Sequence, residues 1–209
     1  MRRSMDKLTL AELGAVLDGR NTHPETAEEL DREVWERCGA ERGILVMDLS
    51  GFTRLTRARG ILHFLAVFRR AWRASCPVVS THGGRVVKCE ADNVIASFPS
   101  ASAALDAAVG MLHAVRELNV TLDDDSRMRL CIAVGWGRIL ELEDDFFGDE
   151  VNVTFKLGED VARSGEVLVT ESAVARLETE GRTIDGEELS LEVGSVRVRY
   201  RRLVPGTEG

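Results

Sequence analysis

Residues 43–49 constrain the fold more than any other stretch of this chain. Gly43-Ile44-Leu45-Val46-Met47 is a short, unbroken apolar run, and it ends in Asp48. A run of that length and composition reads as a buried strand. A Gly-containing turn, Leu49-Ser50-Gly51-Phe52-Thr53, follows and leads into a helix.

The spacing of apolar residues predicts the elements that surround this strand. A long amphipathic helix is expected over residues 61–79, ending at Cys76-Pro77, with a turn at His82-Gly83-Gly84. Residues 85–89 and 93–98 read as two strands joined by the tight connection Glu90-Ala91-Asp92. Pro99-Ser100 opens a helix over 101–118. Residues 127–134 form a strand, bent by Gly135-Trp136-Gly137 and continued over 138–142. A third helix is expected over 150–163. Residues 167–170, 171–178 and 196–203 then read as strand, helix and strand. The order β-α-β-β-α-β is an α+β pattern with a ferredoxin-like split βαβ core. Residues 1–40 form a helical N-terminal extension, with stripes at Leu8, Leu10, Leu13, Val16 and Leu17, then at Leu30, Val34 and Trp35, separated by a break from Asp18-Gly19 to Pro24. Packing or a dimer contact is its expected role. Residues 41–209 form the remaining domain.

Composition narrows the function. With 35 acidic and 27 basic residues the net charge is −8, which argues against a nucleic-acid binder. One small phosphorylated ligand is compatible, because a few local cations suffice for it. No apolar run reaches the ~20 residues of a membrane span. The four cysteines form no CxxC pair, which suits a reducing, cytoplasmic setting. Cys89 and Cys131 lie in apolar runs and are expected to be buried. The three tryptophans read as core or interface residues. Of the basic residues 24 are arginine, and only Lys7, Lys88 and Lys156 are lysine.

Asp48 and Asp92 carry the first chemical signal. The split βαβ topology sets strand 1 beside the hairpin that bears Asp92, so the two carboxylates can converge. Without a cation they repel, and hard divalent ions such as Mg²⁺ or Mn²⁺ suit them. A cap at Asp48 and a plain turn at Asp92 remain the alternative. The turn after Asp48, beside a helix N-terminus, can cradle phosphate through backbone N–H groups.

Three ordered motifs resemble those of class III adenylate/guanylate cyclases. Asp48-Leu49-Ser50-Gly51-Phe52-Thr53 resembles the first. Lys88-Cys89-Glu90-Ala91-Asp92 resembles the second, with a base-reading residue four positions before a metal aspartate. Asp145-Phe146-Phe147-Gly148-Asp149-Glu150-Val151-Asn152-Val153 resembles the third, with a base-reading position seven before the Asn and a cation, Lys156, four after it. The resemblance spans residues 43–203. It implies the cyclase fold and an adenylate cyclase converting ATP to 3′,5′-cyclic AMP and pyrophosphate. It implies that Asp48, Asp92 and the Leu49 carbonyl hold two Mg²⁺ or Mn²⁺ ions, and that Gly51, Phe52 and Thr53 contact phosphates. Lys88 and Asp145 would read the purine as adenine, with Asp144 as the neighbour that a one-residue register shift would select. Asn152 and Lys156 would be catalytic. One chain carrying both residue sets implies a head-to-tail homodimer with shared sites, and an unidentified regulatory partner remains open.

The sequence departs from the family pattern at three places. Lys156 stands where Arg is usual, keeping the charge but losing the planar fork. Ala91 stands where Gly is usual, at a cost of about 1 kcal/mol if φ is positive there. Glu192-Val193-Gly194 replaces a Lys-Gly pair, leaving Arg197 or Arg199 to supply the missing cation. These departures leave a second reading, a catalytically weak or silent nucleotide-binding or dimerisation module of the same fold.

Overall fold

The computed structural model describes residues 7–90, 92–193 and 196–205. Ala91 and Gly194, two of the departures above, lie outside the described residues. Two helices, α1 (Leu10–Thr22) and α2 (Ala27–Cys38), precede the strand β1 (Gly39–Leu49). Then come α3 (Phe52–Arg59), α4 (Ile61–Thr81), β2 (Arg85–Glu90), β3 (Asn93–Phe98), α5 (Ala101–Asn119), β4 (Leu130–Glu141), the two-residue β5 (Phe146–Phe147) and α6 (Asp149–Lys156). The chain closes with β6 (Val167–Thr170), α7 (Glu171–Thr179), β7 (Glu187–Val193) and β8 (Val196–Leu203).

The strands form one mixed sheet in the order β2-β3-β1-β4-β6-β8-β7, with β5 paired to β4. Each of the first four is antiparallel to its neighbour, so β2 and β1 run the same way on either side of β3, as the split βαβ pattern requires, and β6 joins β4 in parallel. Residues 44–47 of β1 are fully buried. Because strand side chains alternate, they feed two cores. Leu45, Met47 and Leu49 pack with Phe64, Val67 and Ala71 of α4 and Leu105 and Met111 of α5. Ile44 and Val46 pack on the opposite face with Ile95, Ile139, Phe146 and Val151. A one-residue slip of β1 would exchange the two sets, so the register that places Asp48 is strongly held.

Local chemistry explains the helix ends. Thr9 and Glu12 cap α1 reciprocally, as a capping box. The Ser100 hydroxyl accepts from the Ala103 N–H at the start of α5. α1 and α2 bury Leu13, Val34 and Cys38 with Leu8 and Leu142, so the extension packs at the C-terminal end of β4. Among the described residues no helix is long and apolar enough to cross a membrane.

Several expectations are corrected. α1 runs through Gly19 to Thr22, so the break falls at His23. α4 continues through Pro77 to Thr81. Pro77 sits on the exposed side of the helix, and buried Val79 anchors the last turn. β4 is one continuous strand through Gly135 and Gly137. The glycines serve close packing: a Cβ at Gly135 would lie 2.1 Å from the Thr154 hydroxyl, and one at Gly137 would lie 2.8 Å from Glu150 Cβ. The third helix ends at Lys156 and passes into a π turn, Leu157–Val161, with Gly158 pressed on Val46. Cys131 is buried, whereas Cys89 is exposed because β2 is the sheet edge.

Gly135→Ala forces the buried Thr154 side chain to move. A loss of about 1–3 kcal/mol in denaturant unfolding is expected, and an unchanged midpoint would show that α6 yields freely.

Candidate functional site

Asp48 leaves the sheet centre opposite Cys131 of β4. Asp92 sits in the turn between β2 and β3, close enough for its charge to act on Asp48. Burial first, and then the like charge of Asp92, push the Asp48 carboxyl up to about 6, with Glu159 and Asp160 adding to the repulsion and a hydrogen bond from the Leu49 backbone opposing it. The two carboxylates are therefore brought together. Sequence reasoning missed their neighbours: Asn93 donates to Glu159 at 2.7 Å, and its own carbonyl oxygen is buried without a partner.

This donor set fits a hard divalent cation, because excess negative charge is held where water solvates it poorly. It comprises two carboxylates and the backbone at Leu49. Among the described residues no group of three or more His, Cys, Asp or Glu side chains is arranged as a closed metal site. Gly51 has φ 102°, a left-handed conformation that glycine tolerates, and it turns the chain from β1 into α3. Leu55 N–H bonds the Gly51 carbonyl, so the N–H groups of Phe52 and Thr53 in the first turn have no helical partner. Phe52 is exposed and packs edge-on against Phe64, with ring centroids 4.8 Å apart.

A second cluster lies between β2 and the loop before β5. The Lys88 ammonium donates to Asp145 at 3.1 Å and also pairs with Glu90 at 3.1 Å. Burial works against its charge, but these two carboxylates outweigh it and raise its pKa. The other Asp145 oxygen accepts from the Phe146 N–H at 2.8 Å. The adjacent Asp144 is used elsewhere: it accepts from the Leu10 N–H at 2.8 Å, at the start of α1. Phe146 is buried and Phe147 exposed, so the pair divides between core and surface.

Beside this cluster lies a buried carboxylate that sequence reasoning passed over as one acid in a run. Glu141, only 2% exposed, accepts from Ser97 at 2.7 Å, Arg42 at 2.9 Å, Arg85 at 3.3 Å and Lys7. Burial raises its pKa, but these partners more than reverse the effect and hold it at about 2, against an ordinary 4.5. The only sequence signal was its place between Leu140 and Leu142.

Asn152 and Lys156 lie one turn apart on α6, both exposed, and border a cavity of about 80 Å³ with Val153, Leu157, Leu191 and Val198. Lys156 pairs with Asp160 at 2.6 Å. Arg197 and Arg199, the expected replacements for the missing lysine, pair with Glu192 and Glu171. Among the described residues no hydrogen bond or ion pair links Asp48 and Asp92 to Lys88, Asp145, Asn152 or Lys156 within one chain. Lys156 is nevertheless joined to the carboxylates indirectly, because its partner Asp160 also acts on Asp48. Of the tryptophans Trp136 lies in the core, Trp72 is half-buried against it and Trp35 is exposed; each carries an arginine over its face, Arg176 on Trp136, Arg69 on Trp72 and Arg138 on Trp35.

No protein-family model matches the chain. A Rhizobium meliloti (strain 1021) protein named Putative adenylate cyclase 3 is 34% identical over 130 residues, which are 61% of this chain and 22% of that protein. The chain therefore matches under a quarter of that relative's length. Among solved structures, an adenylate/guanylate cyclase/hydrolase from Silicibacter pomeroyi is similar at TM-score 0.65 and 24% identity, over 80% of this chain and 98% of that one. The guanylyl cyclase Cya2 is similar at TM-score 0.67 and 18% identity, over 81% and 95%. Adenylate cyclases of Trypanosoma brucei are similar at TM-score 0.65 and 20% identity, over 79% and 89%. The chain has the fold of the class III adenylate/guanylate cyclase domain.

The Glu141 network makes stability depend on pH. Its folded pKa lies below its unfolded one, so its stabilisation is present above pH 4.5 and is lost as pH falls toward about 2. Glu141→Gln should lower the unfolding free energy at pH 7 by about 2 kcal/mol and flatten its decline through that acid window. Denaturant titrations at stepped pH test this, and an unchanged acid slope would remove Glu141 as its source.

Proposed function

We propose that this chain is an adenylate cyclase of the class III family, converting ATP to 3′,5′-cyclic AMP and pyrophosphate in a head-to-tail homodimer. The observation that carries this reading is the 3.1 Å contact between Lys88 and Asp145. A Lys ammonium donates to adenine N1, and an Asp carboxylate accepts from the N6 amine. Guanine presents the reverse pattern at both places. The fold supports a nucleotide cyclase in general, and this donor–acceptor pair supports adenine in particular.

Asp48, Asp92 and the Leu49 carbonyl would hold two Mg²⁺ or Mn²⁺ ions. When bound, these supply Lewis-acid activation of the ribose 3′-hydroxyl and neutralise the triphosphate. The 3′-hydroxyl gives up its proton to water, its oxygen attacks the α-phosphorus, the bond to the bridging oxygen breaks, and pyrophosphate leaves. Gly51, Phe52 and Thr53 meet phosphate oxygens with backbone N–H groups. Asn152 orients the ribose with an amide that can donate and accept, and Lys156 meets the charge that grows on the transferring phosphoryl group. One chain that carries both residue sets, with no direct bond between Asp48 or Asp92 and Lys88, Asn152 or Lys156 among the described residues, supports a site shared between two protomers. Residues 1–40 act as a helical extension of a cyclase domain over 41–209, and the setting is cytoplasmic.

A second reading, a weak or silent module, is favoured by Lys156. It replaces the usual arginine and is already paired with Asp160. Cyclic AMP made from ATP with Mn²⁺ or Mg²⁺, absent when both Asp48 and Asp92 are changed to Ala, selects the enzyme. ATP binding without turnover selects the silent module. Lys156→Arg is expected to raise kcat, because a planar multi-donor group replaces a point charge.

Mixing tests the shared site. Asp48→Ala and Asn152→Ala proteins should each be inactive alone. Random exchange makes half the dimers mixed, each with one intact site, so about one quarter of wild-type activity should return. No recovery would place each site within one chain. Lys88→Glu with Asp145→Cys should move preference toward GTP, measured by paired assays of both cyclic products. An unchanged ATP preference would overturn the purine assignment.

A further inference from the structure

The loop over residues 142–145 is held by groups that have no assigned contact with nucleotide or metal. Arg85 lies on β2, three residues before Lys88. Its Nη1 donates to the Glu143 carbonyl at 2.8 Å. Its Nη2 donates to the Leu142 carbonyl at 3.0 Å and to the Glu141 carboxylate at 3.3 Å. A rigid guanidinium spanning two successive carbonyls fixes both the position and the rotation of the loop, which a single point contact does not. Glu141 is itself fixed by Ser97 and Arg42, so the bracket is anchored to β3 and β1. Lys88 projects from the same short strand. Its separation from Asp145 is therefore set through one stretch of backbone that is tied to the loop at both ends.

We propose that Arg85, through its bracket on Glu141, Leu142 and Glu143, is the positioning residue that sets Asp145 against Lys88 and so fixes the preference for adenine over guanine nucleotides. This rests on the cyclase reading above. Discrimination requires a donor and an acceptor at a fixed separation, so that the wrong purine leaves both unpaired. Once the loop is released, Asp145 turns away, adenine loses its acceptor and guanine is penalised less. Removing the bracket lowers selectivity more than it lowers the chemical step.

The test measures kcat and KM for ATP and GTP with Mn²⁺ for the full-length protein, Arg85→Ala, Arg85→Lys, Lys88→Ala and the double variant Arg85→Ala/Lys88→Ala. Competition of ATP and GTP against a fluorescent nucleotide gives the same ratios without turnover. Arg85→Ala should lose about tenfold in the ATP:GTP ratio, chiefly through a higher KM for ATP. Arg85→Lys restores the charge beside Glu141 but cannot span two carbonyls. It should recover the melting temperature while selectivity stays lost, and it carries the test if Arg85→Ala does not fold. The double variant should be no less selective than Lys88→Ala alone, because both changes act on one pair. A wild-type ATP:GTP ratio in Arg85→Lys, or losses that add in the double variant, would overturn the proposal. A wild-type protein that does not prefer ATP overturns the underlying purine reading, and that result is seen before any variant is made.

Discussion

The double-sided burial of β1 is the constraint from which the rest of the molecule follows. Its side chains belong alternately to two cores, one under α4 and α5 and one under α6 and β5. The eleven-residue ladder with β4 and the shorter one with β3 then hold it laterally. A strand gripped in this way cannot slide, so Asp48 emerges at one fixed point. Its carboxylate is thus presented at the cost of partial desolvation, and the like charge of Asp92 is placed against it. Such an arrangement is unfavourable for the bare protein and favourable for one that recruits a dication.

The remaining groups are organised by different forces. Lys88 and Asp145 meet as opposite charges, half-buried, and need no ligand to hold them. Asn152 and Lys156 ride on α6, whose seat on the sheet depends on two glycines of β4 that lack side chains where the helix crosses. In one chain these groups are mechanically joined through β1, β2 and β4, and Asp160 stands between Lys156 and Asp48. On the proposed reading, completion of the site waits for a second chain, and assembly becomes a condition of turnover rather than an addition to it.

What the sequence disclosed follows from where the information resides. β1, the β2–β3 pair and the helices of the split βαβ unit were legible because their signals are local: an apolar run, a tight turn between two alternating strands, an i, i+3, i+4 stripe. The same local rules misread Gly135 and Gly137 as a bend, because the demand for glycine comes from Thr154 and Glu150, which approach from another element. Pro77 misled likewise, since tertiary burial of Val79 outweighs the missing hydrogen bond. β7 went unnoticed because its acids mask an alternation that only β8 completes. Glu141 was the least legible. Its partners stand 44, 56, 99 and 134 residues away, and no periodicity spans such distances.

The first described residues of the chain touch the same loop. Lys7 reaches Glu141, the Leu8 carbonyl accepts from the Glu143 N–H at 2.9 Å, and the Leu10 N–H donates to Asp144. These contacts lie within four residues of Asp145. Binding equilibria are reciprocal, so a segment whose docking favours one geometry of the loop must itself dock more firmly when a ligand selects that geometry. On the proposed reading, adenine at Lys88 and Asp145 would tighten the entry to α1 by the same free energy that this entry lends to adenine. The N-terminal helices would then be a load on the nucleotide equilibrium as well as a cover for the end of the sheet.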